Sequence, residues 1–322
     1  MSWNRNLSKP HNNYEYDLGV GIITFHRNDG LLRLLRSLIQ QSFQTINHPK
    51  WKVVVVDNDH YGIAKNATEN LQESFPVPLI YDIEPTQGIA SARNKVVSLT
   101  QNSKFLAFID DDEVAETDWL EQLLIVQSQF HADIVTGPIL PEYEQTPPQW
   151  IKRGRFFERR RLETGSLLDY AATNNILIKT KWFQKVDGPF DTRLNLTGGS
   201  DKLFTTKAHK LGAKIVWADE AVVKEINPPE RVKSSWLIKR YFRIGYTKSL
   251  VNKLTGNTIS NSLRHFFSGF YRILLGLILL IPYSLLKGYS GTIQSIRHIA
   301  HGWGEIFALM GGRYEEYADQ SE

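Results

Sequence analysis

Val53-Val54-Val55-Val56 is an unbroken run of β-branched side chains with no polar residue to face water. Alternate residues of a strand point to opposite faces, so such a run is stable only when both faces are covered, as in the centre of a parallel sheet. The surrounding pattern agrees. Residues 20–25 read as a second buried strand, followed by Leu31, Leu34, Leu35 and Leu38 on one helical face, with Asn28 or Asp29 as N-cap. Further strands are expected at 79–81, 105–109, 176–178 and 215–217. Helices are expected at 89–99, at 119–130 with Asp118 and Glu121 spaced as a capping box, and at 201–211 closed by Gly212. Strands alternating with helices predict an α/β fold, a mostly parallel sheet flanked by helices.

Two stretches break the pattern. Residues 141–161 carry Pro147-Pro148 and two basic runs, 152–155 and 159–161, and read as a long mobile loop that clamps a diphosphate, attracts an anionic lipid or is simply solvated. Residues 266–286 are nearly all apolar, interrupted by Ser268, Arg272, Pro282 and Ser284. Their uninterrupted core, 273–281, is too short to span a bilayer, and the whole only just reaches the ~20 residues required. With the amphipathic stretch 293–310 they are expected to form an in-plane or re-entrant hairpin, a single span or a buried pair being the alternatives. Arg231, Lys233, Lys239, Arg240 and Arg243 precede the apolar segment, which suits the anionic cytoplasmic leaflet. The expected divisions are a polar extension at 1–17, a catalytic domain at 18–245 and a membrane-associating helical region at 246–322.

Composition narrows the chemistry. The 322 residues include no cysteine, which removes disulfides, thiolate metal sites and thiol nucleophiles and suits a reducing cytoplasm. A net charge of +4 does not suggest a nucleic-acid partner. The polar start, without an apolar core, is not expected to act as a secretory signal.

Strand 105–109 delivers Asp110-Asp111-Asp112-Glu113 at its carboxyl end, where ligands bind in open parallel sheets. Carboxylates this close raise one another's pKa, and a hard divalent cation, Mg²⁺ or Mn²⁺, relieves the repulsion. Such a cation normally shares its remaining positions with phosphates, which points to a nucleoside diphosphate. Thr24-Phe25-His26-Arg27 and Asp57-Asn58-Asp59 fall at other strand ends, and Gly88-Ile89-Ala90-Ser91-Ala92-Arg93-Asn94 opens a helix with small residues that admit a ligand close to the backbone.

Together these motifs resemble the family 2 glycosyltransferases of the GT-A fold. Gly198-Gly199-Ser200-Asp201 adds to the match, with Ser200 where the family usually has Glu. Trp217-Ala218-Asp219-Glu220-Ala221 and Pro228-Pro229-Glu230-Arg231 are similar to exopolysaccharide transferases of the succinoglycan kind. The resemblance implies that Thr24, Arg27 and Asp57 line the nucleobase and ribose pocket, Asp57 accepting from the uracil imide. Arg93 would lie near the base or diphosphate, Asp110 would contact the ribose, Asp111 would also bind the nucleotide, and Asp112 would bind Mn²⁺ or Mg²⁺. Asp201 would be the general base, although Gly-Gly-Ser-Asp before a helix also reads as an N-cap. The implied reaction is inverting transfer of a hexose, with UDP-glucose as leading donor, to a saccharide acceptor carried on a polyprenyl diphosphate at the cytoplasmic membrane face. A nucleotidyltransferase and a catalytically silent scaffold of the same fold are the rival readings.

Overall fold

The computed structural model describes residues 14–256 and 259–316. Of the polar extension expected at 1–17, all but 14–17 lies outside the described residues. In chain order the elements are β1 (Tyr16–Thr24), α1 (Asn28–Ile39), β2 (Trp51–Asp57), α2 (Lys65–Gln72), β3 (Leu79–Ile83), α3 (Ile89–Leu99), β4 (Ser103–Ile109), β5 (Glu113–Ala115) and α4 (Trp119–Gln129). Then come β6 (Ile134–Thr136), β7 (Ile139–Tyr143), α5 (Gln149–Gly154), β8 (Leu167–Leu168), β9 (Asn175–Lys179), α6 (Lys181–Lys185), α7 (Ser200–Lys210), β10 (Ile215–Trp217) and β11 (Val223–Asn227). Three long helices follow: α8 (Ser234–Leu254), α9 (Ile259–Lys287) and α10 (Tyr289–Leu309).

The valine run does what its composition demands. Val53 and Val55 join one core with α1 and α4, while Val54 and Val56 join a second with α3 and α7. All four are fully buried. Among the described residues the main sheet has eight strands in the order β3-β2-β1-β4-β9-β6-β10-β8. β3, β2, β1 and β4 are parallel, β9 runs antiparallel between β4 and β6, and β10 pairs parallel with β6. A smaller sheet, β5-β11-β7, flanks the acidic turn after β4. The architecture is the mixed α/β fold with a mostly parallel centre that the alternation predicts.

Three local expectations are corrected. Asp118 makes no capping bond to α4; Glu121 instead turns inward and accepts from the backbone N–H groups of Gln44, Thr45 and Ile46 at 2.6–3.1 Å. Neither Asn28 nor Asp29 is the N-cap of α1, because Asn28 is already helical and its amide donates to the Ile63 carbonyl at 3.1 Å. Residues 141–161 are not a featureless loop: they contain the end of β7 and all of α5. Ile151, Phe156 and Phe157 are buried there in a satellite core with Leu237 of α8 and Ile293 of α10.

α9 and α10 form a hairpin about Gly288, and α10 packs along both α9 and α8. Glycines bring the backbones together. A Cβ on Gly302 would lie 2.3 Å from the Gly269 carbonyl oxygen, and one on Gly304 would lie 2.1 Å from that of Phe242. Small residues at helix crossings are the usual device for close approach in apolar surroundings. At this crossing Glu305 of α10, fully buried, receives Lys248 of α8 at 2.8 Å and Arg272 of α9 at 3.4 Å. Burial alone would raise the Glu305 pKa, but hydrogen bonds from His301 and Lys248 outweigh it and hold the carboxyl at about 2. The outer face of α9 stays open: Ile278, Ile281, Leu285 and Leu286 are each at least 70% exposed. The helix stretch Ser262–Lys287 is long and apolar enough to cross a membrane, with a mean hydropathy of 1.8.

Candidate active site

The carboxyl ends of β1 and β4 open into a cleft of about 690 Å³. Its floor is the acidic turn and its far wall is α8. β1 ends at Thr24, whose hydroxyl donates to Asp111 Oδ2 at 2.8 Å. Three residues on, Arg27 donates to Asp111 Oδ1 and Asp112 Oδ2, both at 3.0 Å. Burial works to lower the Arg27 pKa, but Asp111, Asp112 and Asp110 hold it above the ordinary value. A second guanidinium, Arg231, reaches the same Asp112 oxygen at 2.7 Å from the segment between β11 and α8. Asp111 is 4% exposed and pushed up by burial against the pull of Arg27 and Thr24, so its work is to hold the turn.

Asp110 is different. Its backbone N–H donates to Glu113 Oε2 at 3.0 Å, but its carboxylate has no hydrogen-bond or ion-pair partner among the described residues. Desolvation, then the charges of Asp112, Asp111 and Asp201, push it up to about 7 against the opposing field of Arg93. Glu113 behind it is 1% exposed and raised well above the usual range, chiefly by burial. An unpaired, charge-crowded carboxylate is the kind of group a hard divalent cation relieves. Among the described residues no three His, Cys, Asp or Glu side chains enclose an ion by themselves. Asp110 and Asp112 are the cleft carboxylates that could hold such a cation.

Asp201 stands in the first turn of α7 and lines the same cleft. The N-cap is Gly199, in a left-handed conformation with φ of 90°, where an added Cβ would lie 2.4 Å from Thr247 Cγ2. Neither Ser200 nor Asp201 is the cap, so the capping alternative falls away for both. Ser200 is fully buried, and its hydroxyl accepts from Arg93 Nη1 at 3.0 Å. Arg93, 4% exposed beside the Phe190 ring, is thereby held in place, and its charge acts to lower the Asp110 pKa.

Two sequence expectations do not match this geometry. Asp57 is fully buried and outside the cleft lining. Its oxygens are taken by the N–H of Asp59 at 3.0 Å, the N–H of Ala64 at 2.9 Å and the Tyr81 hydroxyl at 2.9 Å, so it organises the loop after β2 instead of facing a nucleobase. The N-terminus of α3 is not open either. Asn195 packs across Gly88, its side-chain oxygen accepts from the Ser91 N–H at 2.9 Å, and its carbonyl accepts from the Ile89 N–H at 3.3 Å. Asn58 lines the cleft in place of Asp57, locked by Gly88 N–H and the carbonyls of Glu84 and Thr86.

The far wall contains residues that the motifs do not mark. Arg159 pairs with Glu225 at 3.0 Å, and Trp236 stacks on Phe157 with ring centroids 5.8 Å apart. Arg240, Tyr241 and Thr247 complete the wall from α8. The basic run at 159–161 and the polybasic approach to α8 were the only signals for it.

The sequence profile described as glycosyl transferase family 2 matches residues 19–186. The chain is 32% identical over 230 residues to the succinoglycan biosynthesis protein ExoM of Rhizobium meliloti, covering 71% of this chain and 73% of that protein. It is 23% identical over 250 residues to a glucosyl-dolichyl phosphate glucuronosyltransferase of Haloferax volcanii, covering 72% and 75%. Among solved structures, S. aureus TarS 1–349 in complex with UDP superposes with a TM-score of 0.52 over 93% of both chains at 17% identity, a likeness of fold.

Proposed function

The chain belongs to glycosyl transferase family 2, and from that premise we propose that it moves a hexose from a UDP-sugar to a lipid-linked saccharide, with inversion, at the cytoplasmic membrane face. Glucose is the hexose that the succinoglycan-type resemblance favours. One observation carries the reading: the acidic turn after β4 and Asp201 at the start of α7 line one cleft. The UDP named with the TarS structure and the dolichyl phosphate in the name of the Haloferax relative support a UDP donor and a lipid-phosphate-linked acceptor.

Asp110 and the free oxygen of Asp112 would hold Mg²⁺ or Mn²⁺. When bound, that ion offsets the charge growing on the departing nucleoside diphosphate. Arg27 and Arg231 keep Asp112 fixed, while Thr24 and Arg27 keep Asp111 fixed. Asp201 takes the proton of the acceptor hydroxyl as its oxygen attacks the anomeric carbon, help typically worth ~10²–10⁴ in rate. With one base and attack opposite the leaving group, an α-linked donor gives a β-linked product. The apolar face of α9, with Phe266, Phe267, Phe270 and Tyr271 toward its start, would lie at the membrane interface and bring the cleft to its acceptor.

The test is UDP release across a panel of UDP-sugars with Mg²⁺ or Mn²⁺, with and without membrane lipid extract. Release from one donor, abolished by Asp112→Ala and by Asp201→Asn, is the expected result. Release that survives Asp201→Asn at the wild-type rate would remove Asp201 from the role of base.

A further inference from the structure

Every other guanidinium lining the cleft has a polar partner; that of Arg93 is the Ser200 hydroxyl at 3.0 Å. Arg27 and Arg231 share Asp112, Arg159 takes Glu225 at 3.0 Å, and Arg243 takes Glu316 at 2.8 Å. Arg240 has none. It lines the cleft from α8 with its Cζ 5.5 Å from the Phe157 ring centroid and 5.2 Å from that of Trp236, and its Nη1 is buried without a hydrogen-bond partner. Aromatic faces stabilise the cation but accept none of its five N–H donors in the way an oxyanion does. A guanidinium nitrogen buried without an acceptor is costly, and the cost is removed by an anion. Desolvation lowers its pKa to about 10, with Arg159 and Arg243 adding to the effect and Glu225 opposing it, so the local field is under-compensated.

We propose that Arg240 is an anion-binding residue of this cleft and that its ligand is a diphosphate. The proposal deepens the transferase reading and rests on it. Among the described residues of the cleft, the carboxylates of Asp110 and Asp201 and the guanidinium of Arg240 have no hydrogen-bond or ion-pair partner. A simple carboxylate ligand would satisfy Arg240 and leave Asp110 crowded, whereas a diphosphate carrying a divalent cation satisfies both. The planar fork of the guanidinium matches phosphate oxygens two at a time. Both the donor nucleotide and a lipid-linked acceptor carry this group.

The experiment is calorimetric titration of the full chain in detergent micelles with uridine, inorganic pyrophosphate, UDP and farnesyl diphosphate, each with Mg²⁺, for wild type and Arg240→Gln. Loss of a charge-assisted, forked contact should weaken the diphosphate ligand by roughly ten- to a hundredfold, with uridine affinity unchanged. Weakening of pyrophosphate and UDP identifies the donor diphosphate. Weakening of farnesyl diphosphate with UDP intact identifies the acceptor side. Affinities for all three diphosphates equal to wild type would overturn the proposal and leave the transferase reading standing. Wild-type protein that binds pyrophosphate through Arg240 but neither uridine nor UDP would overturn the nucleotide reading and keep the anion site. Should Arg240→Gln not fold, Arg240→Lys decides on the same titrations. It keeps the charge without the fork, so an intermediate loss supports the site and wild-type affinity refutes it.

Discussion

Gly30→Ala perturbs the acidic turn from behind. A Cβ at Gly30, in the first turn of α1, would lie 2.5 Å from the Asp111 backbone oxygen, whereas real Cβ contacts essentially never fall under 3.0 Å. Clearing that limit takes 3.0 − 2.5 = 0.5 Å, and ordinary contact at 3.4 Å takes 0.9 Å. α1 cannot retreat, because Leu31, Leu34, Leu35 and Leu38 are fully buried against the sheet. The turn must therefore move, taking Asp111 and Asp112 with it. Overpacking costs about 1–3 kcal/mol, and Ala regains about 1 kcal/mol over Gly inside a helix, leaving a net loss of about 0–2 kcal/mol. At about 2–4 °C per kcal/mol that lowers Tm by at most about 8 °C. Displacing catalytic groups by nearly 1 Å costs of the order of 10²-fold in rate. Thermal unfolding and UDP release, measured together, should show a modest Tm change beside a large loss of kcat/KM. Gly21→Ala is the comparison: its Cβ would meet Val96 Cγ1 at 2.3 Å, a core side chain away from the turn, and it should lower Tm with far less effect on rate. Wild-type turnover in Gly30→Ala would refute the reasoning.

Asp110, raised to about 7 in the fold, binds more protons folded than unfolded across pH 4–7, so in chelator its contribution to stability is present below about pH 4 and is lost as pH rises through 7. Asp110→Asn should therefore raise Tm above pH 7 and flatten that slope; a variant with the wild-type profile would count against the assignment. Glu305→Gln leaves Lys248 and Arg272 facing each other without their carboxylate and should cost about 3–5 kcal/mol, with part recovered by Lys248→Met in the same chain; chemical denaturation reads both. Ile278→Lys with Ile281→Lys, on the exposed face of α9, should release the protein from phosphatidylglycerol-containing vesicles in flotation without changing UDP affinity, whereas undiminished flotation would argue against α9 as the membrane face.

Legibility in the sequence followed the range of the forces involved. The valine run, the leucines of α1 and the acids after β4 were readable because burial pattern and strand-end chemistry are local. The burial of Asp57 outside the cleft lining was not readable, because its partners Ala64 and Tyr81 meet it only in the folded loop. Ser200, which resembles an absent glutamate or a helix cap, holds Arg93 across 107 residues of sequence. The small sheet β5-β11-β7 joins short segments that carry no strong period, and residues 141–161, polar and proline-rich, gain their order from Leu237 and Ile293, far along the chain. Arg240 was visible only as part of a basic run. Its isolation from carboxylates is a property of three dimensions.

The position of β9 has a consequence during synthesis. β4 pairs with β1 on one side, but its other edge waits for β9, whose Asn175 lies opposite Ile109. The separation is 175 − 109 = 66 residues, so at about 5–20 residues/s the edge stays open for roughly 3–13 s. Leu106 and Phe108, which end up in the core with Ile176 and Ile178, lack those partners throughout that interval. An apolar strand edge exposed on a nascent chain is a template for pairing with a neighbouring copy. Translation speed through residues 110–179 and chaperone occupancy there should therefore govern how much of this protein reaches its native state.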